Sequence, residues 1–226
     1  VITGGTKGIG KATIEKFAEQ GFNIATCARS EKDLKALKKE IEGKYQVEVH
    51  VKQADLSSKT DCQVFCNYVL ELDDIVSVLV NNTGVFIPGS IHSEPDGALE
   101  SQIETNLYSA YYISRGLVGE MLEVKKGHIF NVCSIASITA YANGGSYAIS
   151  KHAMYGFSRC LREEMKPHGI RVTSIMPGAT FTASWEGSDL PPDRFIKASD
   201  IAEIIWNNYS LSPNATKLIF LTSDVG

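Results

Sequence analysis

No stretch of this sequence is apolar for long enough to cross a bilayer as a helix, which takes about 20 residues, and no run of lysine and arginine suggests nucleic acid. The net charge is only -4 at pH 7. Neither a membrane nor a nucleic acid is therefore expected as a partner, and the chain reads as a cytoplasmic protein. Cysteine is sparse, and the five positions, Cys27, Cys62, Cys66, Cys133 and Cys160, include no Cys-x-x-Cys pair. No metal site or disulfide framework is expected, only reduced, buried thiols. Cys62 and Cys66, one helical turn apart, read as small apolar fillers on one face. Low-complexity tracts, internal repeats and linkers are also missing, so residues 1–226 read as one domain with room for a substantial core. Residue 1 is a valine inside an apparent strand and the last is Gly226, so both termini are expected to be trimmed.

What is present is an alternation of short apolar runs with longer amphipathic ones. The opening turn leads into a helix ending near Gln20; further helices are predicted over 31–42, 58–72, 98–125, 146–168 and 199–209. Strands are predicted at the start and over 22–27, 47–53, 75–80, 128–133, 170–176 and 217–222. The nearly continuous apolar run 75–80 suits a parallel strand covered on both faces. The pattern predicts the α/β class: a Rossmann-type, doubly wound parallel sheet of about seven strands in three α/β/α layers. Such sheets bind ligands at the carboxyl ends of the strands, where strand order reverses.

One stretch carries chemistry. Ser134 ends an apolar run, and after the Gly144-Gly145 break Tyr147 and Lys151 stand four positions apart. On a helix that spacing puts them on one face, about 5–6 Å apart at Cβ. A phenol titrates near 10, and a neighbouring ammonium favours its ionised form, so Lys151 is expected to bring Tyr147 towards the working pH. Ser134 is placed to donate to the same substrate oxygen. Proton transfer to or from an alcohol or carbonyl oxygen follows.

The opening Thr3-Gly4-x-x-x-Gly8-x-Gly10 turn, which includes Thr6, Lys7 and Ile9, lets backbone approach a ligand and offers a helix N-terminus to phosphate. It departs from the usual dinucleotide fingerprint in having two glycines at its start. After the second strand comes Ala28-Arg29-Ser30 rather than a carboxylate. Arg29 with Lys7 predicts a 2′-phosphate there, hence NADP(H) over NAD(H). Asn81-Asn82-Thr83-Gly84 follows the fourth strand as a turn or a ligand loop. Asn106 lies in an apolar helical stretch, where a buried amide needs partners.

Taken together, Thr3-Gly4-x-x-x-Gly8-x-Gly10, Asp55-Leu56, Asn81-Asn82-Thr83-Gly84, Asn106, Ser134, Tyr147-x-x-x-Lys151 and Pro177-Gly178 resemble the short-chain dehydrogenase/reductase family of the classical type. Thr83 departs from the family's alanine and is expected to add a hydroxyl near the cofactor. The resemblance implies an NADPH-dependent reduction of a carbonyl to an alcohol. Tyr147 would be the general acid, Ser134 would orient the carbonyl, Lys151 would bind the nicotinamide ribose, and Asn106 would support a proton relay to Lys151. The glycine turn (Gly4, Thr6, Lys7, Gly8, Ile9, Gly10), Arg29, Ser30, Asp55, Leu56, Asn82, Gly84, Pro177, Gly178, Thr180 and Thr182 would contact the cofactor. Substrate choice is expected from 135–146 and from a short lid over 179–198, with Phe181 and Trp185 facing Tyr141. The Pro177–Trp185 pattern is similar to sepiapterin-reductase-like members, in which a lid carboxylate, here Glu186 or Asp189, would hold a pterin. A 3-oxoacyl-thioester reductase is the alternative enzyme, and a non-catalytic NADPH sensor or scaffold the alternative of another kind. The resemblance further implies a homodimer or homotetramer paired through 98–125 and 146–168, where Tyr108, Tyr111, Tyr112, Met154 and Phe157 offer surplus apolar surface.

Overall fold

The computed structural model of the chain describes residues 1–180, 194–212 and 218–221. Seven parallel strands form one sheet in the order β3-β2-β1-β4-β5-β6-β7. They are β1 (Ile2–Thr3), β2 (Ile24–Ala28), β3 (Val49–Gln53), β4 (Val78–Asn81), β5 (Gly127–Val132), β6 (Ile170–Pro177) and β7 (Leu218–Leu221). The order reverses between β1 and β4. That crevice lies at the ends of the strands that carry Gly4 and Asn82.

The helices are α1 (Gly8–Glu19), α2 (Glu31–Lys44), α3 (Lys59–Leu70), α4 (Ala98–Ile103), α5 (Ser109–Val124), α6 (Gly145–Met165) and α7 (Ala198–Ser210). Side chains of α1, α2 and α7, among them Phe17, Leu37 and Ile205, share one buried cluster with Val78, Val80 and Phe130 of the sheet. Those of α3, α5 and α6, among them Phe65, Leu117 and Leu161, share another with Leu79 and Ile129. Because alternate residues of a strand point to opposite faces, the continuous apolar runs of β4 and β5 serve both layers.

Local chemistry sets several boundaries. Ser30 caps α2 by accepting from the Asp33 amide, and Ser58 caps α3 by accepting from the Asp61 amide. By contrast α1 begins at Lys7 with no side-chain cap and no acid in its first turn, which leaves its amide end to a ligand.

Three expectations are corrected. The predicted helix over 98–125 is broken by a π turn, Glu104–Tyr108, centred on Asn106. The amide side chain bonds outside the helix and widens the turn to reach its partners. Met154 is not surplus surface: it is buried against Ala110, Cys133 and Met176, while Tyr112 and Phe157 pack on the core and Tyr108 and Tyr111 stay 46% and 41% exposed. Four of the cysteines are buried thiols, with Cys62 and Cys66 both in the core as fillers, but Cys160 on α6 is exposed.

A buried polar chain fixes α6 on the sheet. The Asn81 amide donates to Ser114 Oγ at 2.8 Å and Asn131 Oδ1 at 2.9 Å, Asn131 donates to Ser158 Oγ at 2.9 Å, and Ser158 pairs with Ser174 at 2.7 Å. It thereby links β4, β5 and β6 to α5 and α6.

Candidate active site

Ser134 follows β5 and Tyr147 opens α6, so both hydroxyls stand at the carboxyl end of the sheet. The Ser134 hydroxyl accepts from the Ala136 amide at 3.1 Å, capping a short 3-10 turn, and lies beside the Tyr147 phenol. Lys151, one turn further along α6, is 5% exposed; its Nζ donates to the Val132 carbonyl at 3.0 Å and stands 5.8 Å from the Tyr147 ring centroid. Here the balance differs from the sequence expectation. Burial holds the Tyr147 phenol above its ordinary 10, opposed by the Ser134 hydroxyl. Burial also lowers Lys151 below its ordinary value. An ammonium that is itself desolvated and committed to a carbonyl does not outweigh the burial of its neighbour. The phenol is therefore fully protonated at neutral pH and able to donate.

Asn106 completes this end of the site. Its Oδ1 accepts from the Val85 amide at 2.7 Å, and its Nδ2 donates to the Val85 carbonyl and to Ser150 Oγ, both at 2.9 Å. A Cβ placed on Gly84 would meet Asn106 Oδ1 at 3.1 Å and Lys151 Nζ at 3.5 Å, so the three converge on one space.

The glycine turn is built for close approach. Gly4 and Gly8 have φ of 66° and 54°, in the left-handed region open to glycine. A Cβ on Gly10 would lie 2.4 Å from the Gly4 carbonyl and 2.6 Å from Asn82 Nδ2. Asn82 clamps the turn by donating to the carbonyls of Thr3 at 2.9 Å and Gly4 at 3.2 Å. Bare backbone, a free helix N-terminus and the cations Lys7 and Arg29, both exposed, fit an anionic dinucleotide.

The remaining predicted residues divide. Arg29 and Ser30 follow β2 beside the glycine turn, with the Ser30 oxygen engaged as the α2 cap. Asp55 closes a local turn by accepting from Ser57, and Leu56 is buried in the core, although both stand at the end of β3. Pro177 ends β6; Thr180 is buried and donates to the Gly178 carbonyl at 3.1 Å. Tyr141 is half exposed; its phenol is held above the ordinary range by partial burial and, to a lesser degree, by the neighbouring Tyr147. The Thr83 hydroxyl is buried, has no hydrogen-bond partner among the described residues, and abuts Gly4. Phe181, Thr182, Trp185, Glu186 and Asp189 lie outside the described residues. A small cleft lined by Val1, Ile24 and Val78 sits at the opposite ends of the strands and holds none of the predicted residues. Among the described residues no cluster of His, Cys, Asp and Glu could hold a metal, and no helix is long and apolar enough to cross a membrane.

The family model for short chain dehydrogenases matches residues 1–190. The chain belongs to the short-chain dehydrogenase family. That membership makes it an NAD(P)-dependent oxidoreductase. An uncharacterised oxidoreductase of Staphylococcus saprophyticus is 29% identical over 203 residues, covering 90% of this chain and 87% of that one. Among solved structures, an alcohol dehydrogenase of the archaeon Thermococcus sibiricus, complexed with 5-hydroxy-NADP, superposes with a TM-score of 0.93 at 25% identity, over 100% and 96% of the two chains. A metagenomic short-chain oxidoreductase in complex with NADP gives 0.84 at 28% identity, over 98% and 95%.

Two residues of this short-chain dehydrogenase, Phe86 and Glu94, escaped the sequence reading, and Gly5 was read only as a departure from the fingerprint. Phe86 packs edge-on against Tyr147, with ring centroids 4.9 Å apart. Its position two residues after the Asn82–Gly84 turn was the available signal. Gly5, the extra glycine of the fingerprint, lies where a Cβ would meet Ile14 Cδ1 and Thr26 Oγ1, each at 2.3 Å. Glu94 bonds to Ser146 at the start of α6, and no local pattern foretells it.

Proposed function

We propose that this short-chain dehydrogenase reduces a small or pterin-like ketone to an alcohol with NADPH, Tyr147 acting as proton donor. The observation that carries the reading is the meeting of the Tyr147 phenol, the Ser134 hydroxyl and the buried Lys151 ammonium beside a glycine turn. When bound, the reduced nicotinamide supplies a hydride to the carbonyl carbon. Ser134 donates a hydrogen bond to the carbonyl oxygen and holds it against Tyr147. The phenol, kept neutral by burial, gives that oxygen its proton. Lys151 then stabilises the phenolate left behind and holds the nicotinamide ribose, while Asn106 orders the route by which the proton is replaced. Lys7 and Arg29 take the 2′-phosphate. The NADP-type cofactors of the Thermococcus and metagenomic proteins support that preference. Residues 1–226 act as one unit, with Tyr141 beside the substrate. Copies pair through 98–125 and 146–168, where Tyr108 and Tyr111 are exposed.

Fluorescence titration with NADPH and NADH, for the wild type and Arg29→Ala, tests the cofactor. NADPH is expected to bind more tightly by a factor that largely vanishes in the variant; equal binding of the two cofactors by the wild type overturns the preference. Turnover of a panel of ketones and diketones tests the chemistry. Tyr147→Phe is expected to lose roughly 100- to 10,000-fold in kcat with NADPH binding intact, and turnover near wild type in that variant overturns the assignment.

A further inference from the structure

The helix that carries Tyr147 and Lys151 starts badly by its own means. Its N-cap, Gly144, has no side chain to offer, and its first turn contains no acid. The first amides of such a helix have no intrahelical acceptor and fray unless something outside satisfies them. Here that something comes from 52 residues upstream: the Ser146 amide donates to Glu94 Oε1 at 3.0 Å, and the Ser146 hydroxyl donates to Glu94 Oε2. Ser146 is 2% exposed and immediately precedes Tyr147.

The carboxylate is held in place by the loops on either side. The Gly89 amide donates to the Asn143 carbonyl at 3.0 Å, the Gly145 amide donates to the Gly89 carbonyl at 3.1 Å, and Ser90 Oγ donates to Asn143 Oδ1 at 2.8 Å. A Cβ on Gly89 would strike Glu94 Cγ at 2.5 Å, and one on Gly145 would strike Oε1 at 2.8 Å, so both glycines leave the space that the carboxylate fills. Asn143 accepts a φ of 60° to make this junction, a conformation that asparagine tolerates better than most residues. The Ser146 hydroxyl and amide hold the Glu94 carboxyl below its ordinary range, so it is charged at neutral pH and favoured at the positive end of the α6 dipole. Among the described residues no lysine, arginine or histidine pairs with it, and the carboxylate accepts only from Ser146.

We propose that Glu94 is the positioning residue for Tyr147, supplying in trans along the chain the N-terminal cap that α6 lacks and thereby fixing the first turn in which the phenol stands. The inference rests on the reading of Tyr147 as proton donor. Lys151 lies one turn deeper and is anchored independently by the Val132 carbonyl. The glycine turn that receives the cofactor is clamped by Asn82, which Glu94 does not touch. Loss of the cap therefore loosens the proton donor and spares cofactor binding. A misplacement on the order of 1 Å at a reacting group lowers a rate by about 100-fold.

The test uses the full chain and compares Glu94→Ala, Glu94→Gln and Tyr147→Phe. NADPH affinity is read by fluorescence, and kcat and KM are read at saturating NADPH on a ketone turned over by the wild type. Glu94→Ala is expected to lose about 10- to 100-fold in kcat with the NADPH Kd within about threefold. Glu94→Gln keeps an oxygen that accepts from the Ser146 amide and is expected to recover most of that loss, a rescue that general destabilisation does not produce. Should Glu94→Ala not fold, Glu94→Asp, a methylene too short to reach Ser146, takes its place with the same loss expected. Wild-type kcat in the alanine variant, with Tyr147→Phe inactive, overturns the positioning role alone; so does a glutamine variant no better than alanine. Undiminished turnover by Tyr147→Phe instead overturns the reading on which the role rests.

Discussion

Replacing Gly10 by alanine puts the glycine turn to a test that separates space from helix propensity. Gly10 lies in the first turn of α1, where alanine as such favours the helix by about 1 kcal/mol. Against that gain, the new methyl would sit 2.4 Å from the Gly4 carbonyl and 2.6 Å from Asn82 Nδ2. Neither is the free end of a flexible side chain. The carbonyl belongs to the turn itself, and the amide is committed to Thr3 and Gly4. Overpacking of this kind costs about 1–3 kcal/mol, and each displaced bond of Asn82 costs about 1 kcal/mol more. The net expectation is a loss of about 2 kcal/mol, or a fall in Tm of about 4–8 °C for a chain of this size. Gly43→Ala is the control: that glycine is also helical, in α2, but a Cβ there meets nothing within 4 Å, so the same substitution should raise Tm by about 2–4 °C. Thermal melts by circular dichroism read both, and NADPH titration should show Gly10→Ala weakened by at least about tenfold, equivalent to 1.4 kcal/mol, with Gly43→Ala unchanged. If Gly10→Ala melts and binds like Gly43→Ala, the turn has room to spare and the argument for close backbone approach fails.

Two further outcomes follow from buried polar groups. His128 is stacked on Phe130 at 3.8 Å in the core, and burial, with the nearby Arg171 adding to it, pushes its pKa down from 6.5 to about 2. The folded ring therefore stays neutral while the unfolded one takes up a proton. Its contribution is fully present above pH 6.5 and is lost as pH falls towards 2, at about 1.4 kcal/mol per unit. Tm measured from pH 7 to 4 should drop more steeply in the wild type than in His128→Gln, and equal slopes would refute it. Asn106→Ala removes the bonds to Val85 and Ser150 and should cost about 3 kcal/mol in urea unfolding, at about 1 kcal/mol per bond; a loss under about 1 kcal/mol would mean that water replaces them.

Much of the fold and the site was legible because the signals were local. Alternating strand and helix patterns gave the parallel sheet, since apolar runs of four to six residues can be buried on both faces in no simpler way. The four-residue spacing of Tyr147 and Lys151 puts them on one face of a helix, and the glycines of the opening turn marked a close backbone approach, although the positive φ of Gly4 and Gly8 was not foretold. Asn106 was recognised as needing partners, although which ones it found, and the π turn needed to reach them, was not.

What the sequence by itself determined is therefore the order of elements, the placing of Tyr147 and Lys151 on one helix face, and the glycine turn at the start of α1, because each depends on neighbours within a few positions. Only the tertiary structure decided the rest. It buried Met154 and left Cys160 outside, and it turned the Ser30 oxygen to its own helix. It brought Phe86 against Tyr147 and Glu94 to the start of α6. It also set the titration of Tyr147 by burial rather than by Lys151. Each of these outcomes depends on the distance between segments far apart along the chain and on how much water remains between them, and both quantities are fixed by packing rather than by spacing.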